Sequence, residues 1–304
     1  MSSSTIANPI SSTSKPDPNS ENPKKGCTTL ITNTAYLPGL LTLEFSRRRT
    51  NSAYPLVALY TDTLPESGHA ALDARGISKE HVPYLLPSIH KNYSSDTRFY
   101  DCWSKLTPFS LVEFERVVQL DCDMLVVRNM DELMEIELDG AELKGEERAV
   151  LAACHACVCN PLGKGHYPDN CAQLASPATA SYAFADQSLL GDLLRDRWVA
   201  LPYVYNALKT LRWEGVHEFF WEDAEVRNVH FILGLKPWEE GDEGQGQNGT
   251  AALDGKGKGR DPLHEGWWEV NRERLKEEKA RGVDDGFDGA GMGCRVMGRL
   301  RRSI

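Results

Sequence analysis

Val117-Val118-Gln119-Leu120-Asp121-Cys122-Asp123-Met124-Leu125-Val126-Val127 is the stretch around which the rest of the chain is organised. Apolar residues bring the chain to two carboxylates one residue apart, and apolar residues carry it away. A Val- and Leu-rich run of this length reads as a buried strand. Acids at its end are costly unless something pairs with them. An Asp-x-Asp can place both carboxylates on one divalent cation. Mg²⁺ and Mn²⁺ favour oxygen ligands and leave positions for substrate phosphates and water. The same three residues also suit a turn that caps a strand with solvated acids, so the motif needs companions.

The 304 residues are enough for one large domain or two small ones. The 34 basic and 44 acidic residues leave a net charge of −10, which argues against a general nucleic-acid binder. No run approaches 18 apolar residues, so no membrane span is expected. Residues 1 to about 26 are rich in Ser, Pro and Asn, with no apolar core of a signal peptide. This segment is expected to be disordered. A cytoplasmic location follows from these expectations, and with it eight cysteines as reduced thiols.

From Thr28 the pattern alternates. Thr28–Thr32 reads as a β-branched strand, Ala35–Phe45 as a helix closed by Arg47-Arg48-Arg49, and Pro55–Tyr60 as a second strand. Glu66–Arg75 follows as a helix and Val82–Leu86 as a short strand. Alternating strands and helices predict a mostly parallel sheet, with ligands beyond the carboxyl ends of its strands. Thr32-Asn33-Thr34 and Asp121-Cys122-Asp123 share that edge. Phe99–Glu115 reads as a helix carrying Lys105, and Val150–Ala153 as a strand. A helix runs from near Asp186 to Trp198, and Val226–Leu233 is a strand that includes His230. Residues 239–262 read as a flexible linker, Trp267–Lys279 as a charged helix, and residues beyond 282 as a Gly/Arg-rich tail ending in Arg299, Arg301 and Arg302.

Several residues can join the two aspartates. His230 can complete a metal site, or it can be a satisfied core histidine. It opens His230-Phe231-Ile232-Leu233-Gly234-Leu235-Lys236-Pro237-Trp238, where Gly234 permits close backbone approach and Lys236 can pair with a phosphate. Lys105 can reach a phosphate or lie on a solvated face. Asp186-Gln187 opens a helix, where Asp is an ordinary cap, or sets a carboxylate and an amide beside a sugar. A separate group, Cys154, Cys157, Cys159, His166 and Cys171, contains a Cys-x-x-Cys but no second proper pair. Small apolar thiols in a core describe it better than a zinc module.

In their order along the chain these segments resemble glycosyltransferase family 8, the glycogenin and galactinol-synthase group. Thr29–Tyr36 is similar to the family's opening uridine-binding strand and turn. Cys102-Trp103-Ser104-Lys105-Leu106 keeps its Lys before the metal motif, and Leu120–Leu125 resembles that motif. Asp186-Gln187, Leu201–Asn206 and His230–Trp238 follow in the family's sequence. The resemblance covers residues 27–238. It implies an α/β GT-A fold, Rossmann-like, with a mostly parallel central sheet and flanking helices. It implies retaining transfer of a hexose from UDP-glucose or UDP-galactose, with Mn²⁺ or Mg²⁺ as cofactor and a small polyol or glycan as acceptor. A homodimer is compatible with it. By position it assigns Asp121, Asp123 and His230 to the metal and Asp186 and Gln187 to the reacting centre. Leu30, Thr32, Asn33, Tyr36, Lys105, Cys122, Gly234 and Lys236 fall to the donor.

Two features depart from the family. Relatives carry an Asn-x-Gly strand between the metal motif and Asp-Gln. Here Asn160-Pro161 is the nearest candidate, which suggests that a strand and helix are absent near 172–185. A chain lacking them would be an impaired nucleotide-sugar binder or scaffold. The second departure is Leu233, at the place where glycogenin-like proteins keep Gly.

Overall fold

The computed structural model describes residues 24–94, 96–138, 149–154, 182, 184–195, 197–240 and 261–289. Strand β1 (Lys24–Ile31) lies between β2 (Leu56–Tyr60) and β4 (Phe114–Leu120), and β3 (Ser78–His81) adds beyond β2. All three pairings are parallel, so the strands are joined by crossovers. Helix α1 (Leu37–Arg49) connects β1 to β2, and α2 (Glu66–Asp73) connects β2 to β3. Thr28, Thr29, Ala58 and Leu59 are wholly buried, as expected for central strands covered on both faces.

The Asp-x-Asp stretch forms two strands rather than one. After β4 the chain turns through Asp121-Cys122-Asp123 and enters β5 (Met124–Val126) of a second sheet. That sheet has the order β5-β9-β8, with β8 at Ala207–Leu208 and β9 at Asn228–His230. The β5–β9 pairing is antiparallel and sets Met124 opposite His230. The two aspartates therefore occupy the junction between the sheets, with the imidazole beside them.

Other boundaries shift for identifiable reasons. Lys24–Gly26, expected to be disordered, belong to β1, where Lys25 Nζ meets Glu135 Oε1 at 2.7 Å. The third strand is Ser78–His81 and not Val82–Leu86. It is a polar edge strand, and Val82 is the buried residue just past it. The helix expected over Phe99–Glu115 is only α3 (Arg98–Cys102), followed by a 3₁₀ segment (Trp103–Ser110) that contains Pro108. Proline offers no N–H and crowds the preceding turn, so an α-helix cannot continue there. Helix α4 (Ala185–Leu193) stops short, and Trp198 opens β7 (Trp198–Leu201), which pairs with β6 (Leu151–Cys154). The strand at His230 ends there, because Leu233 and Leu235 adopt φ of 65° and 52°.

The C-terminal helix belongs to the core. Asp261 caps α6 (Pro262–Ala280) by accepting from Leu263 N at 2.8 Å. Its Trp267 and Trp268 are fully buried and pack with Phe45, Phe231 and Trp238, which lies in the short α5 (Pro237–Glu240). The indole of Trp268 donates to Pro237 O at 2.9 Å. The central part of the expected linker, the Arg-containing tail, Asn160, Cys157, Cys159, His166 and Cys171 lie outside the described residues, as does most of the gap expected near 172–185. Among the described residues no helix is long and apolar enough to cross a membrane.

One glycine shows how closely the metal-motif turn is packed. A Cβ on Gly39, within α1, would stand 2.5 Å from Cys122 O and 2.6 Å from the Trp238 ring. Alanine at a free helical position would gain about 1 kcal/mol over glycine. Here overpacking outweighs that gain, and Gly39→Ala is expected to cost ~1–3 kcal/mol in urea unfolding. A stabilised Gly39→Ala protein would mean that α1 does not bear on the turn.

Candidate active site

The carboxyl edge of the parallel sheet opens into a cleft of about 970 Å³, its mouth included. Leu30, Thr32, Asn33, Tyr36, Lys105, Asp121, Cys122, Asp123, Gln187, His230 and Lys236 all line it, so most of the expected site residues converge here. Asp186 and Gly234 do not line it.

Charge compensation organises the floor. Asp123 is buried and Asp121 half-buried. Lys105 Nζ lies 2.7 Å from Asp121 Oδ1, and Lys236 Nζ lies 2.6 Å from Asp123 Oδ2. Lys236 also donates to Phe231 O at 2.6 Å. Burial would push the Asp123 carboxyl up, but His230 and Lys236 outweigh it and hold the group well below the usual carboxylate range. Burial likewise disfavours the Lys105 ammonium, and Asp121 reverses this and raises it well above its ordinary value.

His230 Nε2 lies 3.3 Å from Asp123 Oδ1 and 3.5 Å from Asp121 Oδ2. Its Nδ1 is 2.8 Å from Asn206 Oδ1. With that oxygen accepting from Nδ1, the hydrogen bond fixes the ring so that Nε2 faces the carboxylates, the orientation a metal-binding imidazole needs. Ligand atoms from Asp121, Asp123 and His230 all fall within 4.8 Å of one another. Neighbouring ligands of a six-coordinate Mg²⁺-like ion stand about 3 Å apart. The three residues therefore fit one divalent cation with small adjustments.

The nucleotide side of the cleft is held by local hydrogen bonds. Thr32 Oγ1 donates to Asp101 Oδ2 at 2.8 Å, and Asn33 Oδ1 accepts from Ala35 N at 3.0 Å. The Tyr36 ring meets Trp238 edge-on at 5.9 Å, and its hydroxyl accepts from Arg98 at 3.1 Å. The Cys122 thiol donates to Leu30 O at 3.0 Å, and burial pushes its pKa up to about 12, so it stays a neutral thiol.

Two of the expected residues sit apart from the rest. Gly234 does not line the cleft, and a Cβ on it would meet no protein atom within 4 Å. The left-handed positions are its neighbours Leu233 and Leu235. Leu233 thus keeps the backbone shape that a glycine would adopt freely, at a cost of ~1–2 kcal/mol. Asp186 lies behind the cleft wall at 7% exposure, while the next residue, Gln187, reaches the cleft. Spacing did not single out two further residues: Arg98, which lines the cleft, and Asn206, which contacts His230. Arg98 sits in a charged helix with no distinguishing pattern.

Burial pushes the Asp186 carboxyl up to about 6. Asp121 adds to the rise and Lys105 opposes it. A raised carboxyl contributes stability that is complete below its ordinary value of 3.8 and is lost as pH rises through about 6. In metal-free protein, Asp186→Asn is therefore expected to match wild type near pH 4. At pH 8 it should exceed wild type by up to ~3 kcal/mol. Urea unfolding in chelator across this range checks it, and parallel curves for the two proteins would contradict it.

No family model matches the chain. Inositol phosphorylceramide glucuronosyltransferase 1 of Arabidopsis thaliana is 27% identical over 246 residues, which is 72% of this chain and 43% of that protein. The chain thus spans less than half of that relative. Galactinol synthase 1 of Solanum lycopersicum is 25% identical over 287 residues, 84% of each chain. The crystal structure of the glycosyltransferase GlyE of Streptococcus pneumoniae TIGR4 superposes with a TM-score of 0.53 at 19% identity, covering 86% of this chain and 64% of that one. Sequence and fold converge: the chain has the GT-A fold of solved glycosyltransferases and is similar in sequence to a galactinol synthase and a glucuronosyltransferase.

Proposed function

We propose that the chain is a Mn²⁺-dependent, retaining glycosyltransferase that moves a hexose from UDP-glucose or UDP-galactose to a small polyol or glycan acceptor. The observation that carries this reading is the Asp121–Asp123–His230 triangle at the sheet's carboxyl edge, with a lysine on each aspartate. The relatives support it, being a galactinol synthase and a glucuronosyltransferase.

Leu30, Thr32, Asn33 and Tyr36 line the part of the cleft assigned to uracil and ribose. Bound between Asp121, Asp123 and His230, Mn²⁺ would supply the positive charge that offsets the charge growing on the UDP leaving group. Lys105 and Lys236 each pair with one of the two carboxylates. With the carboxylates held on a cation, both ammonium groups would be able to donate to diphosphate oxygens. Fixed donors aimed at developing charge lower the barrier to departure. The Gln187 amide, which lines the cleft, can orient donor-sugar hydroxyls. Asp186 stands next to it in the first turn of the same helix, behind the cleft wall.

Titration calorimetry of UDP with and without Mn²⁺ tests the assignment. Wild type should bind UDP at least ~10-fold more tightly with the metal, a difference of ~1.4 kcal/mol. Asp121→Asn or Asp123→Asn should abolish that gain while the far-UV spectrum stays unchanged. Either variant binding UDP with undiminished Mn²⁺ dependence would refute the metal assignment. UDP release over a donor and acceptor panel then separates an enzyme from a nucleotide-sugar binder.

A further inference from the structure

We infer that Lys209 is a positioning residue whose buried ammonium clamps the loop 233–236 in the conformation that presents Lys236 to the cleft. Lys209 follows β8 at the start of a 3₁₀ turn and is 3% exposed. Its Nζ donates to Gly234 O at 3.2 Å and Leu235 O at 3.0 Å. The third contact is His264 Nε2 at 3.4 Å. An ammonium has three donors and no acceptor, so these contacts use all of them. On the other side of the ring, His264 Nδ1 lies 3.0 Å from Glu240 Oε1, so a carboxylate stands close to the buried cluster.

The loop needs such a clamp. Two non-glycine residues with left-handed backbone flank Gly234, and each is disfavoured on its own. Their conformation persists only where the surroundings hold it. The two carbonyls turned toward Lys209 face away from the cleft, while Leu233 and Lys236 on the same loop line it. Burial and the nearby Lys236 lower the Lys209 pKa to about 8, with Asp261, Glu240 and Asp123 opposing them. A lysine kept in such surroundings has a local task. The clamp also ties the cleft to α5 through Glu240 and to α6 through His264.

That the loop serves a diphosphate rests on the function proposed above, whereas the clamp itself does not. Lys209→Met keeps the apolar stem and removes all three donors. Lys209→Gln keeps two N–H groups without the charge. In hydrogen exchange, amides in 231–236 should exchange at least ~10-fold faster in Lys209→Met, and less so in Lys209→Gln, with β1 and β2 unchanged. With Mn²⁺ present, UDP affinity should fall at least ~10-fold, as expected for loss of one or two hydrogen bonds. Mn²⁺ affinity should stay within about twofold of wild type, since the three candidate ligands do not contact Lys209, and donor KM should rise more than kcat falls. Unchanged loop exchange in either variant would overturn the clamp. Faster exchange with unchanged UDP affinity would overturn its role at the donor site. A wild type that fails to bind UDP would defeat the proposed function and leave the clamp standing on exchange alone. If neither variant folds, wild-type nuclear magnetic resonance decides: hydrogen-bond couplings from Lys209 Nζ to the Gly234 and Leu235 carbonyls are expected, and their absence overturns the clamp.

Discussion

Two carboxylates sit one residue apart in the turn between two sheets, one of them buried and the other half-buried. An unpaired buried carboxylate costs several kcal/mol, so the fold must bring it a partner. Those partners come from distant segments: Lys105 from the 3₁₀ turn before β4, His230 from the end of β9, and Lys236 from the loop beyond it. The positions of three segments are thus tied to one turn. Packing reinforces the charge requirement, because α1 approaches Cys122 so closely that only glycine fits at position 39.

Each aspartate is paired with a lysine. In the function proposed above, a divalent cation held by the carboxylates would supply their counter-charge and leave the two ammonium groups as donors for a diphosphate. The loop bearing Lys236 is held from behind by Lys209, through carbonyls and not through the cleft. Binding groups on one face of a loop and fixing groups on the other allow the site to be rigid before ligand arrives, which is how preorganised electrostatics act.

Much of the fold could be read from the chain because β1, α1, β2 and α2 follow simple rules. Their apolar runs are long, and turns and charged helix ends separate them. β3 escaped because an edge strand needs no apolar pattern, and Ser78–His81 is half-exposed. The helix through Lys105 was drawn too long because Pro108 was read through and not as a stop. At the site, Asp121, Asp123, His230, Lys105 and Lys236 were found by motif order, and the structure brings them together. Asn206 could not be found that way, since its role is a single side-chain contact to His230 across 24 residues. Lys209 was hidden for the same reason. The left-handed backbone at Leu233 and Leu235, on either side of Gly234, has no sequence signature, since leucine rarely adopts it.

Diffraction at the manganese absorption edge, from crystals grown with Mn²⁺ and UDP, tests the central claim most directly. The account predicts one anomalous peak within about 2.3 Å of carboxylate oxygens of Asp121 and Asp123 and of His230 Nε2. It also predicts that Lys236 Nζ will have left Asp123 for a phosphate oxygen. A peak elsewhere, or Lys236 still paired with Asp123 while UDP occupies the cleft, would contradict it.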